Sequence, residues 1–209
     1  MITMAGTIGA GKTLLATKLA EHLGTNAILE PVDSNPILPK FYQNPKQYCF
    51  LLQIYLLNKR LELIQKAQAH PNNVLDRSIY EDAVFTNVNY QLGNINKTER
   101  KVYESLLNNM MQERPKDSYK KKPDLLVFID IDIDHQLEHI KARGRAFEQV
   151  DHNPKRLDYY KRLQRAYQSW YNSYRESPKM KINGNRYDFV NHPDDMTEVL
   201  RQIEYHVVR

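Results

Sequence analysis

Ile2-Thr3-Met4-Ala5-Gly6-Thr7-Ile8-Gly9-Ala10-Gly11-Lys12-Thr13 opens on a short apolar run, Ile2–Ala5, and continues as a full match to G-x-x-x-x-G-K-[ST]. The residue types have a chemical reason. Glycines let the backbone wrap so that its N–H groups point at phosphate oxygens, and the helix that follows presents its positive N-terminus. Lysine reaches the outer phosphates, and the Thr hydroxyl takes a place on a magnesium ion. A chance match in a chain of 209 residues is on the order of one in a hundred. The match also lies between a strand and a helix, as such a loop requires.

The pattern outward from this loop alternates strand and helix. Leu15, Leu19 and Leu23 recur every four residues over Lys12–Leu23, a helical stripe, and Gly24 follows as its stop. Short strands are predicted at Ala27–Leu29, Val74-Leu75 and Met180–Ile182, and a buried one at Leu125–Asp130 (Leu-Leu-Val-Phe-Ile-Asp). Helices are predicted within Asn35–Gln43 and over Lys46–His70, Ser78–Leu92, Lys97–Gln112, His135–Arg143, Pro154–Arg175 and Asp194–Val208. The fold class is therefore α/β, with a five-stranded parallel sheet and helices on both faces. Residues 1–209 read as one domain, with no repeat and no linker.

Composition narrows the function. Thirty Lys and Arg against 25 Asp and Glu give a mild positive excess, which suits a protein that holds a triphosphate. The one lysine run, Lys120–Lys122, reads as a solvated loop rather than a nucleic-acid stripe. The single cysteine, Cys49, reads as a small buried hydrophobe. It allows neither a disulfide framework nor a zinc site, which fits a cytoplasmic protein. The N-terminus lacks the pattern of a signal peptide, and no run is long enough to span a membrane.

In open parallel sheets, ligands bind at the carboxyl ends of the strands. The residues there are Gly6, Glu30, Asp76 and Arg77. Glu30 is suited to accept a proton from an attacking hydroxyl, Asp76 to hold Mg²⁺ or its water, and Arg77 to stabilise charge on a transferring phosphoryl group. Each alone is also what a loop charge or a surface pair looks like. Together with the loop they point to phosphoryl transfer.

Further ordered motifs carry a resemblance: Glu30-Pro31-Val32, Asn35-Pro36-Ile37-Leu38-Pro39, Phe50–Leu57, Asp76-Arg77-Ser78-Ile79-Tyr80-Glu81-Asp82, Lys122-Pro123-Asp124, Arg143-Gly144-Arg145 and Tyr187-Asp188-Phe189-Val190. With these the chain resembles the deoxynucleoside kinases nearly end to end, and among them most the deoxyadenosine/deoxyguanosine branch of lactic-acid bacteria. The resemblance implies a P-loop kinase fold with a lid over about 143–153. It implies ATP held by Gly6, Thr7, Ile8, Gly9, Ala10, Gly11, Lys12 and Thr13, by lid residues Arg143 and Arg145, and by Asp188 and Phe189 near adenine. Thr13 and Asp76 would hold Mg²⁺. Glu30, Arg77 and Lys12 would be the catalytic residues. Gln53, Arg60, Asp82 and Phe85 would surround the base, and Tyr42 and Glu148 the sugar 3′-hydroxyl.

Two positions depart from the family pattern. Asp76 stands where many relatives carry Glu. His139 stands where relatives often carry a lid arginine, and it reads as a solvated helix residue. The resemblance also implies a dimer, of identical chains or with a paralogue, formed through long helices. The apolar residues spread around Lys46–His70 agree, since such a helix is either central to the fold or covered by a partner. The aromatic residues of 159–174 read as core or interface rather than as a binding box.

The reaction expected is in-line transfer of the γ-phosphate of ATP to the 5′-hydroxyl of a deoxynucleoside. Deoxyadenosine is the first choice of acceptor, by the resemblance to the bacterial branch and because a glutamine amide such as that of Gln53 pairs in bidentate fashion with adenine, though the same amide can also serve cytosine. Deoxyguanosine and deoxycytidine stay open. A thymidylate-type monophosphate kinase ranks below, since Glu30 puts a negative charge where an acceptor phosphate would sit. A non-catalytic ATP sensor ranks lowest, because Glu30, Asp76, Arg77, Arg143 and Arg145 are all present.

Overall fold

A computed structural model describes residues 1–112, 121–151, 153–189 and 191–207. Lys120, His152 of the expected lid, Val190 and Val208 lie outside them. Strand β1 (Ile2–Ala5) leads through the phosphate loop into α1 (Lys12–Leu23), then β2 (Ala27–Ile28). Next come α2 (Leu38–Gln43), α3 (Pro45–Ala67) and β3 (Val74–Leu75). A 3-10 turn at Ile79–Glu81 precedes α4 (Asp82–Gln91) and α5 (Lys97–Met111). The chain closes with β4 (Leu125–Asp130), α6 (Ile133–Arg143), α7 (Pro154–Ser173), β5 (Lys179–Asn183) and α8 (Pro193–Val207).

The five strands order as β2-β3-β1-β4-β5, and every pairing is parallel. The chain leaves β1 toward β3 and β2 on one side, then crosses to β4 and β5 on the other. The topological switch therefore sits at the carboxyl end of β1, where parallel sheets open a crevice.

Alternation along the strands divides the core. Ile2, Met4, Val127 and Ile129 pack with Leu15 and Leu19 of α1 and with Val199 and Ile203 of α8. Ala5, Leu126 and Phe128 face the other way, onto Leu52, Val84, Val88, Tyr160 and Tyr167. Strands covered on both faces read as nearly continuous apolar runs, and Ile2–Ala5, with Thr3 its one polar residue, is buried at every position.

Helix α3 packs inside its own chain, against α2, α4, α5, β2 and β3. Its apolar residues are taken up there, so the central placement holds. The helix is not apolar all round. Lys46, Gln47, Asn58, Gln65 and Lys66 are exposed, and of its large hydrophobic residues only Leu51 joins them, at 52%. Among the described residues α3 gives no dimer interface of the kind the apolar spread suggested, because neighbouring elements of the same chain cover that spread.

Candidate active site

The phosphate loop needs its glycines. Gly6 has φ 148°, and a Cβ there would stand 2.9 Å from the Ile129 carbonyl oxygen. Gly9 has φ 80°, and a Cβ would meet the Gln136 carbonyl oxygen at 2.9 Å. Gly11, at φ 86°, leads directly into α1. Both φ values of Gly9 and Gly11 lie in the left-handed region that side chains disfavour.

Lys12 is buried, and its Nζ donates to the Thr7 carbonyl at 2.7 Å. Burial, then the nearby Arg77, lowers its amine to about 7 against the pull of Glu81, Asp76 and Glu30. A charged phosphate beside it would favour the protonated form. Thr13 Oγ1 donates to Asp76 Oδ2 at 2.7 Å, while Asp76 Oδ1 is buried with no hydrogen-bond partner. A hydroxyl and a carboxylate with one oxygen to spare fit the few protein ligands that Mg²⁺ takes beside phosphates.

These groups open onto a cavity of about 480 Å³, within the usual range for small-ligand sites. Residues from well separated parts of the chain line it: Lys12, Thr13, Glu30, Tyr42, Gln53, Arg60, Asp76, Arg77, Phe85, Arg143, Arg145, Glu148 and Phe189. Gln53 and Arg60 lie two helical turns apart on α3, so both project from one face. Both are buried, and Gln53 Oε1 has no hydrogen-bond partner.

Glu30 is the junction. Its Oε1 accepts from Arg60 Nε at 3.2 Å and Nη2 at 3.0 Å, and its Oε2 lies 3.2 Å from Arg77 Nε. Burial alone would raise this carboxyl. Arg60, Arg77 and Lys12 outweigh burial and hold it below the ordinary carboxylate range. Asp82 anchors the far side of Arg60 through Nη1. It is fully buried behind the arginine rather than on the cavity wall.

On the lid side, Arg143 Nη2 donates to Glu148, and Arg145 Nη1 stands 3.6 Å from the same carboxylate. Arg145 Nη2 also reaches Asp33 at 2.6 Å. The Tyr42 ring lies 5.4 Å from the Phe147 ring, centroid to centroid, and the Arg156 guanidinium stands over it at 5.2 Å. Arg77 stacks over Phe85 at 5.2 Å.

Three expectations need correction or addition. His139 is not a solvated helix residue. It is half-buried on the cavity wall, with Nδ1 2.8 Å from the Gly9 carbonyl, because α6 packs across the phosphate loop. Asp188 does not reach the cavity. Its carboxylate accepts from the Asn191 N–H at 3.1 Å and Nδ2 at 2.7 Å, closing the turn before α8. Among the described residues of that stretch, the neighbouring Phe189 lies against Gly11. The aromatic residues of α7 are core, as expected, but two also serve the site. Tyr159 lines the cavity, and Tyr167 OH accepts from Arg77 Nη1 at 2.7 Å.

Glu81 was legible in no motif role. It is fully buried and binds both Arg77 Nη1 (2.7 Å) and the Gly6 N–H (3.2 Å). In sequence it looks like an acid in a helix's first turn, which the helix dipole explains by itself. Its four-residue spacing from Arg77 was the available signal.

The model of the family described as deoxynucleoside kinase matches residues 2–208. A deoxyadenosine kinase of Lactobacillus acidophilus is 49% identical over 204 residues, covering 98% of this chain and 94% of the relative. A deoxyguanosine kinase of Lactobacillus johnsonii is 50% identical over 203 residues, covering 97% and 90%. Among solved structures, a deoxyadenosine kinase of M. mycoides with bound dATP superposes with a TM-score of 0.80 at 26% identity, covering 97% of this chain and 98% of that one. A phosphate loop, a strand-end carboxylate held by two arginines and a match over nearly the whole chain converge on one conclusion: the chain belongs to the deoxynucleoside kinase family.

Proposed function

We propose that this kinase transfers the γ-phosphate of ATP to the 5′-hydroxyl of a purine deoxynucleoside, with deoxyadenosine the preferred acceptor. The observation that carries the reaction is Glu30. It lines the cavity beside Lys12 and is held ionised by Arg60 and Arg77. In this reading Glu30 accepts the proton of the 5′-hydroxyl. Lys12, Arg77, Arg143 and Arg145 stabilise charge on the phosphoryl group in flight. Thr13 and Asp76 would hold Mg²⁺, which neutralises the outer phosphate oxygens when bound. The loop from Gly6 to Thr13 cradles the phosphates, with Phe189 toward the adenine. Closing the lid over about 143–153 excludes water.

The acceptor lies between Phe85 and the buried amide of Gln53, with Arg60 and Asp82 behind it. Tyr42 and Glu148 take the 3′-hydroxyl. The free Gln53 Oε1 supports adenine, whose amino group donates where a carbonyl accepts. Guanine needs the amide turned over, and the relatives include kinases named for each purine. Residues 1–209 act as one kinase domain. The working unit is a dimer of identical chains in the cytoplasm. The pairing contact is the exposed Leu51 of α3 and Val102 of α5, 52% and 51% exposed, outside the apolar spread of α3 that the chain's own elements cover.

Initial rates of ADP release with ATP·Mg²⁺ against deoxyadenosine, deoxyguanosine, deoxycytidine and thymidine test the reading. Deoxyadenosine is expected to give the highest kcat/KM. Preference for deoxyguanosine or deoxycytidine would reject the base assignment and keep the reaction.

A further inference from the structure

Glu81 takes no part in the transfer described above. It is 0% exposed and stands behind the cavity wall rather than on it. Its two oxygens nevertheless hold two working parts. Oε1 accepts from Arg77 Nη1 at 2.7 Å, and Oε2 accepts from the backbone N–H of Gly6, the first residue of the phosphate loop, at 3.2 Å.

Local structure puts it there. Ser78 caps the 3-10 turn by accepting the Tyr80 N–H at 3.0 Å. That turn brings Glu81 back over Arg77 before α4 begins at Asp82. The adjacent acids then divide the work. Asp82 holds Arg60, Glu81 holds Arg77, and the two arginines meet on Glu30. Tyr167 OH, 2.7 Å from the same Nη1, completes the clamp.

We propose that Glu81 is a positioning residue for the kinase reaction, locking Arg77 to the mouth of the phosphate loop so that guanidinium and loop meet the phosphoryl group in one arrangement. The inference rests on the reading of Arg77 as a phosphoryl-stabilising group. Arginine is a long side chain with many rotamers, and a misplacement of about 1 Å costs on the order of 10²-fold in rate. A carboxylate shared between Arg77 and the loop removes that freedom. Glutamine at this position keeps the shape but offers an NH₂ to one of two donors, so one of the two bonds is lost.

The test is a double-mutant cycle with Glu81→Gln, Arg77→Ala and the pair, measuring kcat and KM for ATP and for deoxyadenosine. Glu81→Gln is expected to lower kcat about 10–100-fold while the KM for deoxyadenosine moves less than about 3-fold. The double variant is expected to be no slower than Arg77→Ala alone, since Glu81 acts through Arg77. Full additivity, a loss confined to KM, or wild-type kcat in Glu81→Gln would overturn the proposal. Wild-type kcat in Arg77→Ala would instead remove the Arg77 reading beneath it. Melting curves accompany each variant. Should Glu81→Gln not fold, Glu81→Asp, which keeps the charge and loses one methylene of reach, replaces it in the same cycle with the same kcat-specific loss expected.

Discussion

Glu30 illustrates how a single residue acquires chemistry. Its position after β2 marks it as a strand-end carboxylate, but its charge state depends on Arg60, from α3, and Arg77, from the segment after β3. Burial raises a carboxyl pKa and neighbouring cations lower it. Here the cations win. The proposed base therefore stays ionised as pH falls through the ordinary carboxylate range, and binds its proton only below it. The acid limb of kcat/KM, which reports the free enzyme, is expected to lie below that range. Glu30→Gln is expected to remove the limb and to lower kcat by about 10²–10⁴-fold. A pH–rate profile of both proteins checks this, and near wild-type turnover in the variant would reject the assignment. His139 shows the opposite lesson. Nothing near it in the chain points to Gly9, 130 residues away.

At the scale of elements, α3 does two jobs. One side carries Leu52, Leu57, Leu63 and Ile64 into the core. On the same buried surface Gln53 and Arg60 face the cavity. Such a helix positions a site rigidly only if its apolar side is well packed. Leu57 is 0% exposed and packs in the cluster that holds Ile64, Leu75 and Tyr103. Leu57→Ala is expected to destabilise the protein by about 2–5 kcal/mol through lost burial and the cavity left behind, read as a shift of the urea midpoint. Its effect on KM for the deoxynucleoside should exceed that on KM for ATP, because the phosphate loop rests on α1 instead. The start of α5 was also available to local reading. Asn96 accepts from Thr98 and Glu99 N–H groups, and Glu99 accepts in return from Asn96 N–H, a reciprocal capping arrangement.

At the scale of the whole molecule, the exposed Leu51 and Val102 sit on α3 and α5, which pack together. Replacing both with Glu is expected to convert a dimer into a monomer without unfolding, as followed by light scattering and melting. A wild-type chain that is already monomeric would end the pairing proposal. The sequence alone determined the alternation of strands and helices, the phosphate loop and the strand-end groups, because periodicity, glycine and short motifs are local properties of the chain. It also led, through ordered motifs, to the family. Tertiary structure decided the rest: that most of α3's apolar surface is covered from within its own chain, that the Asp188 carboxylate closes a turn, that Tyr167 and Glu81 hold Arg77, and that His139 sits on the cavity wall. Those outcomes depend on contacts between residues far apart in sequence or on the exact course of a turn. Only the packed fold brings an arginine, a loop N–H and a buried carboxylate within hydrogen-bond reach.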